Sequence, residues 1–164
     1  QHAGLPHPPR VWDFPYQPGI LKAVAKFEGM SLSDERKTAG PPHRIVLLPD
    51  VANVLSGDRE SLAYITAQVV DQDGTVVPQA FHSISFSSYG PGELLPQTWP
   101  GHPTGFTWNA VAGQTVIAFR ATAHVGRAVI NAYSPGLGLG RCAIQVVAKG
   151  KRDEMEYRSG AQVY

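Results

Sequence analysis

The feature that most constrains this chain is an alternation of period two, cut into short lengths by glycine and proline. In LAYITAQVVD, Leu62–Asp71, residues Ala63, Ile65, Ala67 and Val69 fall on one side and Tyr64, Thr66 and Gln68 on the other. Successive side chains of a strand point to opposite faces, so this pattern predicts a half-buried strand. The pattern recurs downstream. Gln114–Thr122 sets Ile117, Phe119 and Ala121 against Arg120, and Arg127–Tyr133 places Ala128, Ile130 and Ala132 inward. Arg141–Ala148 does the same with Cys142, Ile144 and Val146, which predicts a buried, inert thiol. Arg44–Leu48 is apolar, Ser83–Ser87 alternates, and YGPGELL turns into another short strand. No helix of any length has a convincing period.

The 17 Gly and 14 Pro among 164 residues supply breakers between these runs. Short strands at turn-bounded intervals predict an all-β fold, a β-sandwich of about seven strands, which the resemblance below implies is immunoglobulin-like. A chain of this size buries enough apolar surface to need neither disulfide nor metal. Cys142 is the single cysteine, which excludes an internal disulfide and leaves the compartment open, with a secreted or extracellular setting favoured. The formal charge of +1 gives no reason to expect nucleic acid or an anionic membrane as partner. No apolar run approaches the roughly 18 residues of a membrane span, and QHAGLPHPPR lacks the apolar stretch of a signal peptide.

Before this pattern lies a different one. Val11–Phe14, a Pro18-Gly19 turn, Ile20–Phe27, the turn EGM and Ser31–Thr38 read as strands and turns of their own. AGPPH, Ala39–His43, breaks the chain, because two prolines disfavour both helix and ladder pairing. The expected organisation is therefore a first segment over 1–39, which the resemblance below implies is a partial domain, a complete sandwich over 40–150 and a charged tail over 151–164.

The first segment also carries a resemblance. Trp12, Pro15, Tyr16, Pro18, Gly19, Leu21, Lys22, Ala23 and Val24 match a W-x-V-P-Y-x-P-G-x-L-K-A-V segment, with Phe14 in place of its valine. Lys37, Thr38, Ala39, Gly40 and Pro42 match the K-T-A-G-x-P linker that follows it. These motifs resemble the closing strands of the immunoglobulin-like domain behind the catalytic barrel in glycoside hydrolase family 2, mostly enzymes of β-galactosidase type. LAYITAQVVDQDGTVVP, SFSSYGPGELL and AGQTVIAFRATAHVGRAVINAYSPGL resemble the next, C-terminal sandwich of those enzymes. The likeness runs from Val11 to about Val147. It implies a non-catalytic accessory region, giving structural support or a substrate-proximal contact, whose partner is the remainder of a larger glycosidase chain or a complementary fragment. It also implies that the earlier strands of the first domain lie outside this sequence. Trp12, Phe14, Ile20 and Leu21 are then expected in a contact with that partner, in a homodimer, or in docking of the hairpin onto the second sandwich.

Chemistry within the chain is sparse. A retaining glycosidase sets two carboxyl groups about 5–5.5 Å apart, and the resemblance implies that both stand on a barrel absent here. Asp71, Asp73 and Gly74 resemble part of a calcium loop, yet ordinary hairpin chemistry accounts for them. The six histidines have neither zinc spacing nor helical pairing, and neither SFSSYGPG nor GLGLG precedes a helix. No catalytic residue, cofactor or metal is expected. One segment stands out: TWPGHPTGFTW places Trp99, His102, Phe106 and Trp108 in a Gly/Pro-rich loop. Aromatic faces stack on sugar rings, so these four are candidate contacts to an oligo- or polysaccharide, and would define a stand-alone carbohydrate-binding or adhesive module. Large aromatics also cap sandwich ends or pack on neighbours, the blander account. In the resembling family this loop often carries N-G-D and F-N-G motifs that are missing here.

Overall fold

A computed structural model describes residues 13, 15–96 and 105–148, and every element in them is a strand. The chain divides into two compact units, the first ending at Thr38 and the second beginning at Ala39. The expected strand Val11–Phe14 falls almost wholly outside the described residues.

In the first unit Ile20–Phe27 (β1) and Met30–Lys37 (β2) form an antiparallel hairpin, paired from Ile20↔Lys37 to Phe27↔Met30. Glu28 and Gly29 turn it with both φ angles positive, 45° and 82°, the twist that matches two right-handed strands. At the open end the Thr38 N–H donates to the Gly19 carbonyl at 2.8 Å, and the Gly19 N–H donates to Thr38 Oγ1 at 3.2 Å.

Among the described residues the second unit is a sandwich of nine strands, two more than the alternation implied. They are Arg44–Pro49 (β3), Asn53–Leu55 (β4), Leu62–Val70 (β5), Ser83–Tyr89 (β6), Gly92–Leu95 (β7), Thr107–Asn109 (β8), Gln114–Ala121 (β9), Gly126–Tyr133 (β10) and Gly140–Val147 (β11). One sheet has the order β4-β11-β10-β6-β8 and the other β3-β5-β9-β7. Pairing is antiparallel except for β4 on β11. The surplus strands, β4 and β8, have three residues each, too few for a period to be visible in sequence.

The core follows the alternation. Ala63, Ile65, Ala67 and Val69 of β5 are buried, as are Ile117, Phe119 and Ala121 of β9. Facing them, Ile84 and Phe86 of β6, Ala128, Ile130 and Ala132 of β10, and Ile144 and Val146 of β11 complete one hydrophobic cluster. Cys142 corrects the expectation of full burial. It takes an inward register position opposite Ile130 but is only half-buried.

The turn at 71–75 is held by a buried carboxylate. Asp71 Oδ1 accepts the N–H groups of Asp73 at 3.0 Å and Thr75 at 2.8 Å, while Oδ2 accepts the Gly40 N–H at 2.8 Å. The linker is thereby pinned to the second unit. Gly74, with φ of 89°, supplies the left-handed step.

Candidate functional site

Trp99 and His102 lie outside the described residues. Of the other two carbohydrate-contact candidates, Phe106 is exposed and Trp108 is not a loop residue. Trp108 stands on β8 opposite Ile84, half-buried against the core. Its Nε1 and the His82 Nδ1 are buried, with no hydrogen-bond partner among the described residues. Trp108 therefore packs the end of the sandwich, and the sequence missed this because β8 is too short to reveal an inward position.

In the first unit Ile20 and Leu21 are exposed, and with Tyr16, Arg36 and Lys37 they line an open concavity at the free end of the hairpin. Register separates them. Leu21, Ala23, Ala25, Leu32 and Met30 share one face, whereas Ile20 and Val24 share the other with Lys22, Lys26, Glu35 and Lys37. The first face is apolar except for Asp34 and Arg36 near its open end. Trp12 and Phe14, proposed for the same contact, lie outside the described residues.

The sandwich has two outer faces. On the four-stranded sheet, Leu48 pairs across to Thr66 and Val116, and Tyr64 to Ala118 and Leu95. Leu48, Tyr64 and Val116 are exposed, giving this face an apolar centre bordered by the Arg120–Glu93 pair, whose Nη2 to Oε1 distance is 2.6 Å. The five-stranded sheet turns serine, threonine, asparagine, tyrosine and arginine outward, with Val129 and Ala143 among them.

Chemically active groups do not converge. Asp71 is occupied by backbone donors, and among the described residues no three of His, Cys, Asp or Glu come together as a metal would require. Burial pushes the Cys142 thiol up, away from the reactive thiolate.

The described residues of the second unit form a two-sheet β-sandwich module. The chain belongs to the glycoside hydrolase family 2 C-terminal domain 5 family, whose model matches residues 45–152. A β-galactosidase of Bacteroides ovatus is 28% identical over 134 residues, a match that spans 77% of this chain and 16% of that enzyme. A glycosyl hydrolase family 2 member from Bacteroides cellulosilyticus superposes with a TM-score of 0.73 at 25% identity, covering 83% of this chain and 18% of that one. A β-glycosidase from Bacteroides vulgatus shares the fold at the same TM-score of 0.73 and 23% identity, over 82% of this chain and 18% of its own. The chain thus spans less than a fifth of the length of these relatives, and it is a C-terminal accessory domain of family 2 glycosidases in architecture.

Proposed function

We propose that the chain serves as a non-catalytic brace of a longer family 2 glycosidase of β-galactosidase type, its partner being the remainder of that enzyme. The observation that carries this reading is the family match over 45–152 within a relative of which the chain spans 16%. Two surfaces support it. The apolar face of the β1–β2 hairpin, with Leu21, Met30 and Leu32 exposed, suits burial under further strands of the same domain. The Leu48, Tyr64 and Val116 face suits packing against another domain. The half-buried place of Trp108 on a strand takes one aromatic away from a loop-based carbohydrate module, which leaves the brace the better reading.

Two measurements test it. Native mass of the protein from its source should include a larger chain that co-purifies or is covalently continuous with this one. The isolated chain should not hydrolyse aryl galactosides or glucuronides. Turnover that persists after purification from every other chain, and disappears when a carboxylate of this sequence is replaced, would overturn the reading.

A further inference from the structure

The outer face of the five-stranded sheet has a chemistry of its own. Outward on β6 stand Ser83, Ser85, Ser87 and Tyr89. Register sets Thr107 and Asn109 of β8 on one flank of this row, and Asn131 and Tyr133 of β10 on the other. Beyond them Arg127 of β10 faces Gln145 of β11, and Arg141 of β11 faces Asn131. None of these five strands contains an Asp or Glu. The described carboxylates of the second unit, Asp50, Asp58, Glu60, Asp71, Asp73 and Glu93, all stand in loops or on the four-stranded sheet. A merely solvated face mixes both signs; this one carries two arginines and no acid.

Its geometry is as specific as its charge. Tyr89 is 70% exposed and Tyr133 56%. Tyr89 faces Val129 across the ladder, four residues from Tyr133 on the same strand. Strand rise and spacing then put the two tyrosine Cα atoms about 14 Å apart. The hydroxyls of Ser85 and Thr107 lie 2.9 Å apart, and Arg141 Nε donates to Asn131 Oδ1 at 2.9 Å, which orients the guanidinium over the β10–β11 ladder.

We propose that this face binds an acidic polysaccharide, a chain of pyranose units bearing carboxylates. Tyrosine rings stack on the C–H faces of pyranoses at low entropic cost. Serine, threonine and asparagine exchange hydrogen bonds with sugar hydroxyls, and short side chains leave a flat bed for an extended polymer. Arg127 and Arg141 present fork-shaped donors to carboxylates. Val129 of β10, between Tyr89 and Ala143, is a small apolar patch at the centre of the face, while the β6 and β8 side is lined by hydroxyls and amides, which favours a sugar polymer over a protein partner. The binding is independent of whether the sandwich braces a catalytic unit.

Affinity electrophoresis of the full chain in native gels tests this, with polygalacturonate, neutral galactan or polyglutamate cast into the gel. Polygalacturonate should retard the chain, and the other two should not. Paired Tyr89→Ala and Tyr133→Ala, or paired Arg127→Ala and Arg141→Ala, should each weaken binding about tenfold or more, the scale of a lost charged or stacking contact. Tyr64→Ala, on the opposite outer face, should bind as the parent does. No retardation by polygalacturonate, equal retardation by either control polymer, or undiminished binding by both double variants would overturn the proposal.

Discussion

An added Cβ at Gly92 would overlap the Phe119 ring and lie 2.9 Å from the Arg120 carbonyl oxygen. Phe119 is fully buried, so its ring has nowhere to retreat, and the carbonyl belongs to the β7–β9 ladder. Gly92→Ala should therefore cost about 1–3 kcal/mol through overpacking, read as a lowered denaturation midpoint in urea. A stability equal to the parent's would mean that the β7 edge yields easily. Cys142 belongs to the same scale. Burial raises its thiol pKa, so little thiolate forms near neutral pH, and labelling by a thiol reagent should be slow until the protein unfolds. The sign of the linkage follows. The fold prefers the neutral thiol, so its contribution to stability is complete below the ordinary thiol range and declines as pH rises through the raised value. Labelling of native protein as fast as that of a free thiol would contradict the half-buried placement. The alternation of Cys142 with Ile144 and Val146 revealed which way it points. It did not reveal how far the thiol is covered, which depends on packing from outside its own strand.

At the scale of elements, legibility tracked length. β5 and β9 each span at least eight residues, enough for inward and outward sets to separate, and the buried set is the one the alternation picked. β4 and β8 span three residues each and hold their places through pairing with β11 and β6, contacts that no local pattern encodes. That is why Trp108 read as a loop aromatic. The faces of one strand should also differ in energy. Phe119→Ala removes a fully buried ring and should cost about 3–5 kcal/mol. Its neighbour Arg120 points outward into a pair with Glu93 whose side chains are 34% and 55% exposed, so Arg120→Ala should cost less than about 1 kcal/mol. Urea denaturation of the two variants measures both. Similar losses for the two would contradict the assigned faces.

At the scale of the whole molecule, the two prolines of AGPPH marked a break, but not the side to which the linker belongs. Side-chain chemistry decides that. Ala39 packs against the sandwich core, and the Gly40 N–H reaches 2.8 Å to the buried Asp71 carboxylate, 31 residues along the chain. The first unit ends at Thr38, and no described residue of it belongs to the hydrophobic cluster of the second. A chain starting at Ala39 should therefore fold with a single cooperative transition and the β-sheet circular dichroism of the parent. A chain starting at Pro42 loses the Gly40 donor. One oxygen of a buried carboxylate then gives up a charge-assisted hydrogen bond, which should cost about 1.5–3 kcal/mol. Asp71→Ala in the longer piece removes the carboxylate itself and leaves the turn donors of Asp73 and Thr75 without it, so its loss should be at least as large. If the Ala39 piece fails to fold, the hairpin and the sandwich depend on one another after all. If it folds and the Pro42 piece is equally stable, Asp71 holds its own turn and not the linker.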